Sequence, residues 1–229
     1  MRFGSTIIRL DETLRRWSPD TEEALRAVVH SELRNGDTML DIGANFGLHT
    51  LYAAKLVTSA GHVYAFEPAP QNVRLLRRNV RLNKLDTTVT IVPSVVSNSS
   101  EPFLELHVPD ECVAVTASLR KVTPGERLVR VTNMRLDDFG WHSNASVRLM
   151  KIDVEGAELE VLRGALNIIK CARPVLVIEV HGFALPEFGA SADELEEFLQ
   201  GLGYRKTLID DPHLTAANHY QAVYRPAVN

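Results

Sequence analysis

Apolar residues recur at helical spacing across residues 21–34, at Leu25, Val28, Val29 and Leu33, and the run stops at Asn35-Gly36, a helix-ending pair. Thr38–Ile42 is then short, apolar and closed by Gly43, which predicts a strand, and Leu48–Val57 resumes the helical period. The alternation repeats. A strand is predicted at His62–Phe66, closed by Glu67-Pro68, then a helix over 71–82 with Val73, Leu76 and Val80 on one side, then a strand at Val89–Val92. Between residues 97 and 138 the pattern weakens into β-rich segments, 103–108 and 128–131, broken by Pro109, Pro124 and Gly125; these predict hairpin insertions or a sheet edge. The rhythm returns with a strand at Val147–Ile152, a helix over about 157–163 and a strand over 174–180. An acidic amphipathic helix over 192–202, ended by Gly203, precedes short strands at 204–208 and 219–224.

Near-continuous apolar strands alternating with helices imply an α/β fold: a doubly wound, mostly parallel sheet covered on both faces. With 229 residues and no internal repeat, the chain has room for one such domain, expected over 36–229, with residues 1–35 as an N-terminal helical extension. A sheet of this type binds its ligand outside the carboxyl ends of its strands, so the residues just after each strand are the first candidates.

Composition narrows the partners. Lys and Arg number 25 against 29 Asp and Glu, a net charge of −4, so no chain-wide basic field exists to hold a nucleic acid. The first residues scatter charge where a targeting signal would be apolar, and the most apolar stretch, 175–180, is interrupted by Glu179 and is far shorter than the roughly 20 residues of a membrane span. No membrane association is expected. Cys112 and Cys171 form no CxxC pair and no zinc-spaced cluster; both are expected to be reduced core thiols, which suits a cytoplasmic setting.

The first strand end, Asp41-Ile42-Gly43-Ala44-Asn45-Phe46-Gly47, is a cofactor-loop candidate, since Gly43 and Gly47 allow close backbone approach between a strand and a helix N-terminus. It lacks the third glycine of the dinucleotide fingerprint and the Gly-Lys-Ser/Thr ending of a P-loop. Asp41 would repel a pyrophosphate and favour a cationic ligand. S-adenosylmethionine fits, because it carries an ammonium and a sulfonium and no phosphate. Glu67, at the second strand end and 26 residues later, takes the place of the acid that accepts hydrogen bonds from a ribose diol. Asn45 either contacts the ligand or orients the loop, with helix capping as the structural alternative, and His49 and Thr50 read as helix-face packing. Ser94 and Val95, after the third strand, would supply an apolar wall and a backbone amide for adenine.

Two later strand ends carry titratable groups. In Lys151-Ile152-Asp153-Val154-Glu155-Gly156-Ala157-Glu158, Asp153 falls where a transferable methyl would lie, Glu158 is accounted for by the helix dipole, and Lys151 is placed to pair with a neighbouring acid. Alternation puts Glu179 and His181 on one side of the fifth strand.

Together these segments, with Phe66-Glu67-Pro68 and Leu136-Asp137-Asp138, resemble the FkbM family of S-adenosylmethionine-dependent methyltransferases over residues 38–180. The resemblance implies a class I methyltransferase fold, Rossmann-like, with seven strands and the last one antiparallel. It also implies O-methylation of a hydroxyl on a sugar, polyketide or related small molecule. A hydroxyl is a weak nucleophile near neutral pH and calls for a base. The favoured assignment makes His181 that base, oriented by Glu179, with Asp153 positioning the hydroxyl or the methyl; the reverse is the close alternative. Asp153, Glu155, Glu179 and His181 could also offer ligands to Mg²⁺. A nucleotide-dependent oxidoreductase and a catalytically silent cofactor-binding scaffold are the competing readings of the same sheet.

Overall fold

The structure, a computed structural model, describes residues 1–3, 6–14, 22–109, 118–119, 126–140, 147–210, 214 and 218–227. Cys112 lies outside them, as do the Pro124 and Gly125 breaks. The chain opens with a two-stranded antiparallel ribbon, β1 (Arg2–Phe3) and β2 (Thr6–Ile7), and helix α1 (Glu23–Glu32). The main alternation follows: β3 (Thr38–Ile42), α2 (Leu48–Val57), β4 (His62–Phe66), α3 (Pro70–Leu82) and β5 (Val89–Val92). Three strands, β6 (Ser94–Val96), β7 (Phe103–Pro109) and β8 (Glu126–Met134), interrupt it before β9 (Val147–Ile152), α4 (Glu158–Gly164), α5 (Leu166–Ala172) and β10 (Val175–His181). The chain finishes with α6 (Ala192–Gly201), β11 (Tyr204–Ile209) and β12 (His219–Pro226).

Seven strands form the central sheet in the order β11-β12-β10-β9-β3-β4-β5. β12 runs antiparallel to both its neighbours and β10, β9, β3, β4 and β5 pair in parallel, as the resemblance implied. The chain moves from β3 outward to β4 and β5, then returns to place β9 on the other side of β3. That reversal opens the crevice at the carboxyl ends of β3 and β9.

Alternate strand residues feed two cores. On one face Leu40, Ile42, Phe66, Met150, Ile152 and Ile178 pack with Leu159 and Leu162 of α4, Ile169 of α5 and Leu195 and Leu199 of α6. On the other, Met39, Val63, Leu149 and Val177 pack with Leu25 and Val29 of α1, Leu51 and Ala54 of α2, and Leu76 and Val80 of α3.

The β-rich interval is the expected insertion: β7 and β8 form an antiparallel hairpin, β6 joins β8 in parallel, and this second sheet closes its own small core around Val95, Leu106, Val108 and Val131. Cys171 corrects an expectation. It is exposed, because α5 turns Ile169 into the core and leaves Lys170 and Cys171 on its outer side.

Candidate active site

Gly43 follows β3 with φ 77°, and a Cβ there would stand 1.8 Å from the carbonyl oxygen of Asp153. Only glycine lets the loops after β3 and β9 approach this closely in a left-handed conformation. Two residues on, the Asn45 amide donates to Glu67 Oε2 at 2.8 Å, and its side-chain oxygen, Oδ1, is buried with no hydrogen-bond partner among the described residues. Asn45 does not cap α2; the residue preceding that helix is Gly47. Gly47 lines neither of the two cavities that meet at this loop. It has φ 96°, and a Cβ there would meet Leu76 Cδ1 of α3 at 2.3 Å.

Asp41 is placed differently from its expected role. Strand register pairs Asp41 with Lys151, so the ammonium lies against the carboxylate: Lys151 Nζ is 3.5 Å from Asp41 Oδ1. The other oxygen, Oδ2, accepts the Thr50 hydroxyl at 2.5 Å, and Asp41 is fully buried. The acid expected to face a cationic ligand is thus turned to Lys151 and Thr50. Lys151 also donates to Asp153 Oδ2 at 3.1 Å and to the Gly43 carbonyl at 3.3 Å. Burial works against its charge, but the carboxylates of Asp153, Asp41 and Glu22 outweigh burial and hold the ammonium above the usual lysine range. Lys151 therefore fixes Asp153 relative to the glycine loop.

Glu67, just after β4, lines a cleft of about 630 Å³, part of it open to solvent, together with Gly43, Asn45, Ser94, Val95, Leu106, Asp153 and Glu155, among others. Its oxygens accept the Asn45 amide, the Ala69 amide at 2.9 Å and Asn72 Nδ2 at 3.3 Å. Burial pushes its carboxyl up to about 7 despite these donors. The Ser94 hydroxyl is committed to backbone carbonyls, including that of Thr132 at 3.1 Å, so Ser94 offers the cleft its backbone and Val95 an apolar wall.

A second cavity of about 570 Å³ shares Gly43, Asn45, Asp153 and Glu155 with the first and continues to Glu22, His49, Lys151 and Glu179. His49 Nε2 and Glu22 Oε2 are hydrogen-bonded on its wall, bringing the residue before α1 to the start of α2. Behind Glu155 and Glu179 of its wall, His181 is buried, with Nδ1 held by Glu158 Oε1 at 2.8 Å. Its Nε2 lies 3.5 Å from Glu179 Oε1 and 3.8 Å from Glu155 Oε2. Glu179 in turn accepts His219 Nε2 on Oε1 and Gln221 Nε2 on Oε2, both at 2.8 Å.

This arrangement brings Asp153, Glu179 and His181 together and corrects two expectations. The carboxylate that orients His181 is Glu158, because Glu179 is taken up by β12. And His181 does not line either cavity, whereas Glu155 lines both. Burial opposes protonation of His181, yet the Glu158 hydrogen bond and the Asp153, Glu158 and Glu155 charges outweigh it and push the imidazole up to about 9. Burial, helped by Asp153, Glu179 and Glu158 and opposed by His181, pushes Glu155 up to about 7; burial and the Asp153 charge also raise Glu179. Sequence reasoning missed Glu158, His219 and Gln221. The available signal was pairing of the last strand against β10, which sets His219 opposite His181 and Gln221 opposite Glu179.

The Mg²⁺ suggestion does not fit the donors. The structure divides the four suggested residues between two overlapping triads, Asp153-Glu155-His181 and, with His219 added, Glu179-His181-His219, and each brings imidazole nitrogen where Mg²⁺ demands an octahedron of oxygens.

A doubly wound seven-stranded sheet with an antiparallel β12, and with its crevice between the glycine loop and β9, is the class I methyltransferase fold. The sequence agrees: residues 41–206 match the methyltransferase FkbM domain, and the chain belongs to that family. The oxidoreductase alternative is thereby set aside. The chain is 27% identical over 167 residues to the hexuronic acid methyltransferase AglP of Haloferax volcanii, covering 72% of this chain and 65% of AglP. It is 25% identical over 222 residues to the 31-O-demethyl-FK506 methyltransferase FkbM of Streptomyces tacrolimicus, covering 85% and 82%. With Methyltransferase 1 of Beauveria bassiana it shares 30% identity over 143 residues, 55% of this chain and 57% of that protein. Several relatives are thus matched over less than two thirds of their length. The crystal structure of methyltransferase FkbM from Methylobacillus flagellatus superposes with a TM-score of 0.57 at 18% identity, over 84% of this chain and 44% of that one, a likeness of fold. Among the described residues no helix is long and apolar enough to cross a membrane.

Proposed function

We propose that the chain is an S-adenosylmethionine-dependent O-methyltransferase acting on a hydroxyl of a sugar-like or natural-product-like small molecule. The observation that carries this reading is the continuity of the crevice. Its two cavities share Gly43, Asn45, Asp153 and Glu155, joining an apolar wall and a ribose-type acid at one end to the carboxylates of Glu155 and Glu179, which His181 backs, at the other. The residues present fit the cofactor: Glu67 offers a buried carboxylate to a ribose diol, Val95 and Leu106 an apolar wall to adenine, and the unpartnered Asn45 Oδ1 an acceptor to an ammonium. Bound there, the cofactor supplies a methyl group on a positively charged sulfur.

The chain's own residues then orient an acceptor and take its proton. Asp153, fixed by Lys151, stands beside the glycine loop, where it positions the hydroxyl. Glu155, on the wall of both cavities, is the proton acceptor in this reading, and His181, pinned by Glu158, positions Glu155 and Glu179. Asp153, Glu155, Glu158 and Glu179 together disfavour polyanionic, phosphate-bearing acceptors such as nucleic acid. The names of the hexuronic acid methyltransferase AglP and the 31-O-demethyl-FK506 methyltransferase FkbM support a sugar-like or natural-product-like acceptor without fixing it.

The test is mass spectrometry after incubation with methyl-labelled cofactor and a panel of sugars, uronic acids and hydroxylated macrocycles. Transfer to a hydroxyl is expected, with Glu155→Gln lowering kcat by roughly 10²–10⁴-fold while cofactor affinity is kept. Cofactor binding without transfer to any hydroxyl in the panel would favour the silent-scaffold alternative.

A further inference from the structure

We propose that Glu179, His181 and His219 form a binding site for one divalent transition-metal cation of the zinc or manganese type, open on the side that faces Glu155 and Asp153. The triangle is a product of sheet geometry. Glu179 and His181 are alternate residues of β10 and share a face, and antiparallel register sets His219 of β12 directly opposite His181. Glu179 Oε1 lies 2.8 Å from His219 Nε2 and 3.5 Å from His181 Nε2, and the three donor atoms fall within 4.8 Å of one another. Metal–ligand bonds of about 2.0–2.2 Å at tetrahedral or octahedral angles put neighbouring donors roughly 3.0–3.5 Å apart, so small side-chain adjustments would complete the shell.

A second observation concerns how the donors are held. His181 gives Nδ1 to the fully buried Glu158, which leaves Nε2 directed at the cluster, and Gln221 occupies Glu179 Oε2, which leaves Oε1 for the same centre. An imidazole clamped by a buried carboxylate on one nitrogen and directed inward with the other is the outer-shell arrangement of histidine metal ligands. The local charge points the same way. Asp153, Glu155, Glu158 and Glu179 crowd the site, while Lys151 is spent on Asp41 and Asp153. Two histidines and one carboxylate with open positions select a borderline transition metal over a hard ion such as Mg²⁺.

The function rests on the methyltransferase reading: the open side faces the acceptor cavity, where Glu155 and Glu179 are on the wall, so the cation would hold the acceptor hydroxyl. His219 lies beyond the residues matched by the family domain, which end at 206.

The experiment uses the full chain, stripped of metal by dialysis against chelator, and titrates it calorimetrically with ZnCl₂ and MnCl₂ alone, without cofactor. One equivalent of at least one ion should bind, and His219→Ala and Glu179→Gln should each weaken that binding by at least the roughly 10–100-fold that loss of an outer-shell partner costs. His219 is partly exposed, so its variant should fold, and unchanged thermal melting of the stripped variants confirms it. Absence of stoichiometric binding, or binding that both variants retain, overturns the site. Cofactor affinity, measured separately on the stripped chain, distinguishes this failure from failure of the methyltransferase reading. Transfer rates that are equal in stripped and loaded protein would overturn the acceptor-holding role.

Discussion

Glu67 shows how a single buried acid couples solution pH to ligand binding. Burial lifts its carboxyl from 4.5 to about 7, so the folded chain holds this proton more tightly than the unfolded chain does. The stability it contributes is complete below about pH 4.5 and is lost as pH rises through about 7. A ribose diol donating to the ionised form reverses part of that cost. Cofactor affinity should therefore weaken roughly tenfold between pH 8 and pH 6 as Glu67 takes up its proton. Calorimetry across that range reads the effect directly, and Glu67→Gln should bind weakly with little slope. A flat profile for the unaltered chain would remove Glu67 from cofactor binding. Residue-level reading of the sequence succeeded where a group's neighbours are local in sequence and faltered where they are not. Lys151 pairs with nearby Asp153, as its position suggested, but also with Asp41, a partner set by strand register. Glu158 was accounted for by the helix dipole, yet its partner His181 comes from the end of another strand.

At the scale of elements, periodicity placed β3, α2, β4, β5 and β9 at their observed bounds, because each is bracketed by glycine, proline or polar breaks and buries nearly every side chain or one clear face. The first helix was read too long, over 21–34 where α1 spans Glu23–Glu32, and α5, which only Ala165 separates from Gly164 at the end of α4, was not singled out. The β1–β2 ribbon is too short to show alternation. What joins elements into a crevice is the contact at Gly43, where the loop after β3 touches the loop after β9. Gly43→Ala would put a methyl carbon 1.8 Å from the Asp153 carbonyl oxygen at φ 77°, so the two loops must separate. We expect a loss of roughly 1–3 kcal/mol in thermal denaturation together with loss of measurable cofactor binding. An alanine variant that melts and binds like the parent would mean the loops have slack that the packing does not show.

For the whole molecule, the division into a 1–35 extension and a 36–229 domain can be tested by deletion. Ile8, Leu25, Val29 and Leu33 are buried in the same cluster as Leu51 of α2 and Val177 of β10, and Glu32 pairs with Arg148 of β9 and Arg225 of β12. Each buried aliphatic side chain contributes about 1.5–3 kcal/mol, and four of them approach the whole stability of an ordinary domain. A chain beginning at Gly36 should lose its cooperative melting transition by circular dichroism; a sharp melt near that of the full chain would show that residues 36–229 fold alone.

The position of β12 has a consequence for biosynthesis. It follows β11 in sequence yet wedges between β11 and β10. A polypeptide emerging from the ribosome therefore completes the Gly43 and Glu67 side of the crevice first and leaves one edge of β10 uncovered until His219 and Gln221 arrive.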